Sequence, residues 1–238
     1  PDGTKRYTIV LSLVWNDYKF NVVGGIFNVR IAVNGSGVVH PGSGRYLYKG
    51  GSILLLKAED DLNNDTVFYG WDINGDFVRN LTYTVKVDRS LDVTAIFRDV
   101  REFVNGTDID VDMNKDLVAE LIHEGWDGFI MLGGPAVYSY SWEYEFLKEG
   151  GVYNGLILNG QKYRIKYGEL DYALVKLENG TLRVAGVTRY GTRAGLMWFL
   201  DHRGELQEGK TVLILWKDVN GNGRVDEMEF TRIALPNS

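Results

Sequence analysis

Asn-Gly dipeptides at Asn34, Asn74, Asn105, Asn159, Asn179, Asn220 and Asn222 lie between alternating or β-branched runs, and no other feature constrains the fold as much. Asn followed by Gly takes two successive left-handed conformations at little cost, which is what a two-residue turn between right-twisted antiparallel strands requires. The pattern predicts a mainly β fold of antiparallel sandwich type. Strands are expected at 7–15, 27–33, 52–58, 83–87, 92–97, 138–146, 163–167, 173–177, 182–189 and 211–216. One short helix is expected over 115–123, where Leu117, Leu121 and Ile122 form an apolar stripe behind Asn114 as its cap.

A chain of 238 residues can bury a substantial core in one large β-domain or two smaller ones, and two are expected. The net charge of −6 and a pI near 5.2 give no basic footprint for nucleic acid or for an anionic membrane surface. The longest apolar candidate, 7–15, is interrupted by Thr8 and Ser12 and is too short for a membrane helix, so no membrane insertion is expected. The absence of cysteine removes a disulfide framework and leaves core packing or hard metal ions to staple an extracellular chain. The chain begins at Pro1, as it would after removal of a targeting segment, although an expression boundary would look the same.

Residues 26–99 contain the opening VNGSGVVHPGSGRYLYKGGSILLLKA (33–58), the central FYGWDINGD (68–76) with its Gly70-Trp71 pair, and the closing NLTYTVKVDRSLDVTAIF (80–97). In order and spacing this segment resembles a divergent InlB B-repeat, a small β-module of bacterial and archaeal surface proteins. The resemblance covers about a third of the chain. It implies a β-grasp-like module and an extracellular or cell-surface location, and it brings no catalytic residues. The expected organisation is an N-terminal strand segment (1–25), the repeat-like module (26–99) and a second β-rich domain (100–238), with the break near the charged stretch 99–102.

The most specific chemical motif runs from Asp218 to Glu229 and fits D-x-[DN]-x-[DN]-G-x5-E at every defined position. Calcium takes six to eight hard oxygens at about 2.3–2.6 Å, and a loop curling round the ion presents side chains from its first, third and fifth positions. Those are Asp218, Asn220 and Asn222. Gly223 takes the bend, the Arg224 carbonyl supplies a backbone ligand, Asp226 binds directly or through water, and Glu229 closes the shell with two oxygens. Val225 should point into the core. A strand before the loop and only nine residues after it make a paired helix-loop-helix switch improbable. With three carboxylates and two amides the affinity should be that of extracellular modules, with Kd of about 10⁻⁴ to 10⁻³ M.

Asn-x-Ser/Thr sequons at Asn34, Asn64, Asn80, Asn105 and Asn179 exceed the roughly 1.3 expected by chance for this composition and suggest N-glycosylation. Hairpin turns of the form Asn-Gly-Ser/Thr generate the same pattern without sugar. The acidic runs 59–61 with Asp65, and Asp108, Asp110, Asp112 with Asp116, lack a loop glycine. The second reads as one solvated strand face. Tyr138, Tyr140, Trp142 and Tyr144 share a strand face able to stack sugars, although aromatic alternation of this kind more often fills a sandwich core.

His40, His123 and His202 have no metal spacing, and G-x-S-x-G, P-loop and H-E-x-x-H patterns are absent, so no enzyme is expected. The leading expectation is a secreted structural subunit of a calcium-stabilised assembly (a filament, tube or lattice) that self-associates into a homopolymer, with Lys5 to Trp15 as a candidate donor strand. This is similar in kind to archaeal calcium-dependent tubule and donor-strand filament subunits, with no shared subunit motif. The alternative is a calcium-dependent carbohydrate-binding or adhesion module with glycans as partners.

Overall fold

The computed structural model describes residues 25–134, 144–158 and 160–233. The candidate donor strand, and Tyr138, Tyr140 and Trp142 of the aromatic strand, lie outside them, as does the side chain of Tyr144. Strands make up 52% of the structure and helices 20%, so the expected mainly β class holds. No helix among the described residues is long and apolar enough to cross a membrane.

Residues 26–99 form two facing sheets. Their strands are β1 (Ile26–Asn34), β2 (Val38–His40), β3 (Gly44–Lys49), β4 (Ser52–Glu59), β5 (Thr66–Ile73), β6 (Asp76–Val78), β7 (Thr82–Val87) and β8 (Leu91–Asp99). One sheet has the order β3-β1-β8-β5-β6 and the other β2-β4-β7. Alternation decides which side chains meet between them. In β4, Leu54, Leu56 and Ala58 turn inward while Ile53 and Leu55 face outward. The core gathers these with Val29, Ile31, Phe68, Trp71, Val93 and Phe97, and the Trp71 indole donates to the Asn80 carbonyl at 3.0 Å. A buried indole needs such an acceptor.

The rest of the chain supplies β9 (Val104–Asn105), α1 (Asp108–His123), β10 (Phe129–Leu132), β11 (Tyr144–Glu149), β12 (Val152–Leu158), β13 (Gln161–Arg164), β14 (Leu170–Glu178), β15 (Thr181–Gly186), α2 (Arg189–His202), β16 (Thr211–Lys217) and β17 (Phe230–Ile233). A six-stranded sheet of order β17-β16-β14-β15-β10-β9 lies at the centre. On one face Ala173, Val175, Val184, Val212 and Ile214 pack with Leu121, Ile122, Leu196 and Phe199 of the helices. On the other face Leu174 and Leu213 meet Leu156 and Leu158 of the sheet β11-β12-β13.

The expected mainly antiparallel pairing holds, with β1 parallel to β8, and β10 parallel to both β9 and β15. Two expectations are corrected. The helix over 115–123 begins at Asp108, so Asp108, Asp110 and Asp112 occupy its first turns instead of a strand face. The Thr107 hydroxyl accepts from the Asp110 N–H at 3.2 Å as the cap, and early acidic residues suit the positive end of the helix dipole. Asn114 is a buried mid-helix residue whose Nδ2 donates to the Asp110 carbonyl at 2.7 Å. The second correction is α2, a second helix where none is expected, and the strand before it stops at Gly186 instead of Arg189. Gly191 and Gly195 depress helix propensity. They are required by closeness to the sheet: a Cβ on Gly191 would meet the Tyr172 carbonyl at 2.4 Å, and one on Gly195 would meet Val184 at 2.7 Å.

A set of polar and aromatic contacts joins the two halves of the chain. Arg79 lies over Tyr69, donates to its hydroxyl at 3.0 Å and pairs with Asp127. Tyr69 stacks on Phe103 at 5.7 Å, Lys115 reaches Asp65 at 2.9 Å, and His123 lies 3.2 Å from Asp60.

Candidate metal centre

The loop that links β16 to β17 brings Asp218, Asn220, Asn222, Asp226 and Glu229 together. Its start is anchored by the Asp218 N–H, which donates to the Glu169 carbonyl at 2.8 Å, and its end by the Lys217 N–H on the Glu229 carbonyl at 3.0 Å. The two strands therefore hold both ends of the loop at fixed separation. Gly221 and Gly223 have positive φ, +74° and +69°, and let the backbone curl.

The curl is held by the same oxygens that the motif nominates. Asp218 accepts from Gly221 N–H at 2.7 Å and from Gly223 N–H at 2.8 Å. Asn220 Oδ1 accepts from Asn222 N–H at 2.9 Å, and Asn222 Oδ1 from Arg224 N–H at 2.7 Å. The Nδ2 groups of Asn220 and Asn222 both donate to Asp226 Oδ2, at 2.9 and 2.6 Å, and these bonds hold the Asp226 carboxyl below the usual carboxylate range.

Glu229 is the least ordinary member. Only 9% of it is exposed, and it has no ion-pair partner within 4 Å among the described residues. Its Oε1 accepts from Val219 N–H at 3.0 Å and Asn220 N–H at 3.3 Å, while Oε2 accepts from Asp226 N–H and the Trp216 indole, each at 3.3 Å. A carboxylate withdrawn this far from water needs a cation or dense hydrogen bonding. Here four donors, two on each oxygen, supply that hydrogen bonding and fix the carboxylate beside the loop backbone, so a hard cation would have to share or displace them.

No group of three or more His, Cys, Asp or Glu side chains suited to a metal exists among the described residues, and the donor set that the motif nominates adds two amide oxygens and the Arg224 carbonyl. That donor set, all oxygen and half neutral, fits calcium and suits no softer ion. Val225 is 6% exposed and packs beside Trp216 and Ala194, with Tyr190 and Phe230 around them. Tyr190 stacks on Trp216 at 5.2 Å and 8°. The loop is thereby fastened to α2 as well as to the sheet.

The other expected sites are not gathered into a centre. Asn34, Asn64, Asn80, Asn105 and Asn179 are all exposed and far apart in the fold. Asp108 pairs with Arg101, Asp112 with Lys115 and Asp116 with Arg193, while Asp110 is buried at the helix start, so this acidic run is consumed by structure. Asp60 accepts from Phe68 N–H at 2.7 Å and Asp65 faces Lys115.

Asp171 is a buried carboxyl that pattern reading missed. It accepts from Tyr172 N–H at 2.7 Å, Thr188 N–H at 3.1 Å, Gly191 N–H at 2.9 Å and the Thr188 hydroxyl, and so ties the start of α2 to β14. Burial nevertheless dominates and pushes its pKa up to about 6. Its only sequence signal is a lone acid beside an apolar strand. No family model, curated protein or solved structure matches this chain.

Proposed function

We propose that the chain is a secreted, calcium-stapled structural subunit of an extracellular or cell-surface assembly, and that it self-associates into a homopolymer. One observation carries the calcium assignment: Glu229, in the twelfth position of the loop, is a buried carboxylate with no ion-pair partner among the described residues, held by backbone N–H groups of the loop itself. Asp218, Asn220, Asn222, Asp226, Glu229 and the Arg224 carbonyl are the ligands.

The extracellular assignment rests on several weaker supports. The chain has no cysteine, the motif order within residues 26–99 resembles that of an InlB B-repeat although no family model matches it, and all five sequons are exposed, so Asn34, Asn64, Asn80, Asn105 and Asn179 are candidate glycan carriers. Calcium of extracellular abundance would keep a weak loop loaded outside the cell and empty inside it. Polymerisation by donation of the segment 5–15 requires an open sheet edge on a neighbour, and among the described residues β3 and β7 each end a sheet with one side unpaired.

Electron microscopy of the purified chain in millimolar calcium and in excess chelator, with a thermal melt in each, tests both parts. Ordered filaments or tubes only with calcium support the reading, and deletion of 1–15 should then abolish them. A monomer in both conditions removes the assembly, and an unchanged melt removes the calcium. A calcium-dependent binding module is the second reading. A groove of about 910 Å³ whose wall includes Arg224, Val225 and Asp226 of the loop favours it.

A further inference from the structure

We infer that the groove between α1, the start of α2 and the calcium loop is a binding site for an acidic saccharide, one carrying carboxylates along its length, and that its affinity is coupled to calcium. The inference rests on the binding-module reading and gives that module its ligand class.

Four features carry it. First, the groove's volume of about 910 Å³ is of ligand size, and its lining mixes apolar and charged side chains. Second, its charged lining is net cationic, with Lys115, Arg189, Arg193 and Arg224 against Asp112, Asp116 and Asp226. Asp112 and Asp116 are paired with Lys115 and Arg193, and Asp226 accepts from two amides and feels the charge of Arg224. Arg189 and Arg224, which are both exposed in the lining, make no carboxylate ion pair within 4 Å among the described residues. In a chain of net charge −6, two such arginines facing one groove are a local inversion of sign.

Third, Arg189 is pre-oriented. Its guanidinium lies over the rings of Tyr190 and Tyr167, at 5.4 and 5.9 Å from their centroids. The two tyrosines hold the guanidinium through their rings and hydroxyls, and a carboxylate would be met by a cation already fixed in place. Arg224, in the same lining, asks for a second carboxylate on the same ligand. Ile109, 60% exposed, and Met113 offer apolar surface for a sugar ring between the two. The lining comes from helices and loop, with no strand edge on which a peptide could build a ladder.

Fourth, the groove touches the metal site through a short run of contacts. Arg189 rests on Tyr190, Tyr190 stacks on Trp216, and the Trp216 indole bonds Glu229. Arg224 belongs to the loop itself and supplies its carbonyl as a ligand. Calcium that orders the loop places Arg224, and by reciprocity the saccharide tightens calcium by the same factor.

Titration calorimetry of trigalacturonate into the full chain, in calcium and in chelator, tests this, with the neutral trigalactoside, triglutamate and inorganic phosphate as comparison probes. Expected is binding of trigalacturonate alone, weakened about tenfold by Arg189→Ala and by Arg224→Ala, whose circular dichroism should match the wild type, and weakened at least as much by chelator. Binding unchanged by both substitutions, or equal binding of the trigalactoside, overturns the site. Equal binding of triglutamate or phosphate overturns the saccharide, and calcium-independent affinity overturns the coupling. Calcium titrated without sugar, followed by tryptophan fluorescence, reads the metal site separately, so its failure is told apart from failure of the groove.

Discussion

The indole Nε1 of Trp216 donates to Oε2 of Glu229 at 3.3 Å, so the last strand residue before the loop but one touches the residue that would close the metal shell. When calcium takes both Glu229 oxygens, this long bond must change. Calcium should therefore alter tryptophan fluorescence, and Trp216→Phe should remove most of that change while weakening calcium only a few-fold. At a calcium concentration about a hundred times Kd the stabilisation is about 2.7 kcal/mol, or a rise in Tm of roughly 5–10 °C for a chain of this size. Glu229→Gln should abolish the calcium-dependent part of the melt.

Stability should fall between mildly acidic and neutral pH through Asp171. Its folded pKa, near 6, lies above the ordinary carboxylate value, so the folded state binds the proton more tightly than the unfolded one. The stabilisation is complete below the unfolded pKa and is lost as pH rises through about 6. A shift of some two units corresponds to roughly 3 kcal/mol at most. In Asp171→Asn this slope should vanish, and denaturant titrations across that range in wild type and variant would read it. A parallel slope in both would place the titrating group elsewhere.

Arg79 ties the two halves of the chain through Tyr69 and Asp127. Arg79→Ala should cost about 1–3 kcal/mol, because a mostly buried guanidinium loses stacking and hydrogen bonds together. Arg79→Lys should recover less than half, since an ammonium cannot lie flat on Tyr69 while reaching Asp127. Chemical denaturation checks both, and a fully stable lysine variant would show that charge alone matters.

Gly191→Ala should destabilise by about 2–4 kcal/mol, since its Cβ would press on the Tyr172 carbonyl at 2.4 Å, which is backbone and cannot step aside. Gly204→Ala is the control, with nothing within 4 Å and no left-handed backbone. It should be neutral or stabilise by about 0.4–1 kcal/mol. Paired thermal melts decide the matter.

What could be read in the sequence was local. The loop ligands share twelve consecutive residues, so their spacing alone brings Asp218 and Glu229 to one side of the curl. Asn74-Gly75 and Asn179-Gly180 do form left-handed hairpin turns, with φ of +55° and +92° in one and +52° and +71° in the other. Asn154-Gly155 lies inside β12, so the dipeptide is permissive of a turn without commanding one. The errors came where two local patterns compete or where partners are distant. Asp108, Asp110 and Asp112 alternate like a strand, yet Thr107 and Asp110 stand at capping-box spacing, and the cap wins. Helix α2 was hidden by glycines whose reason is the sheet beneath them. The parallel partnership of β1 with β8, and the meeting of Arg189 with Arg224 in the lining of one groove, belong to tertiary structure, and no window of neighbouring residues contains them.

That β1 and β8 lie side by side and point the same way has a mechanical meaning. The chain joins β1 at one end of the pair, at Gly25, and leaves β8 at the other, at Val100. Tension between those points drags the two strands along each other in opposite directions. The register from Val29↔Leu91 to Asn34↔Ile96 is then loaded all at once, in shear, and cannot be unzipped one bond at a time. A module wired this way should resist pulling along the chain better than one whose terminal strands unzip, a property that the proposed assembly would call on.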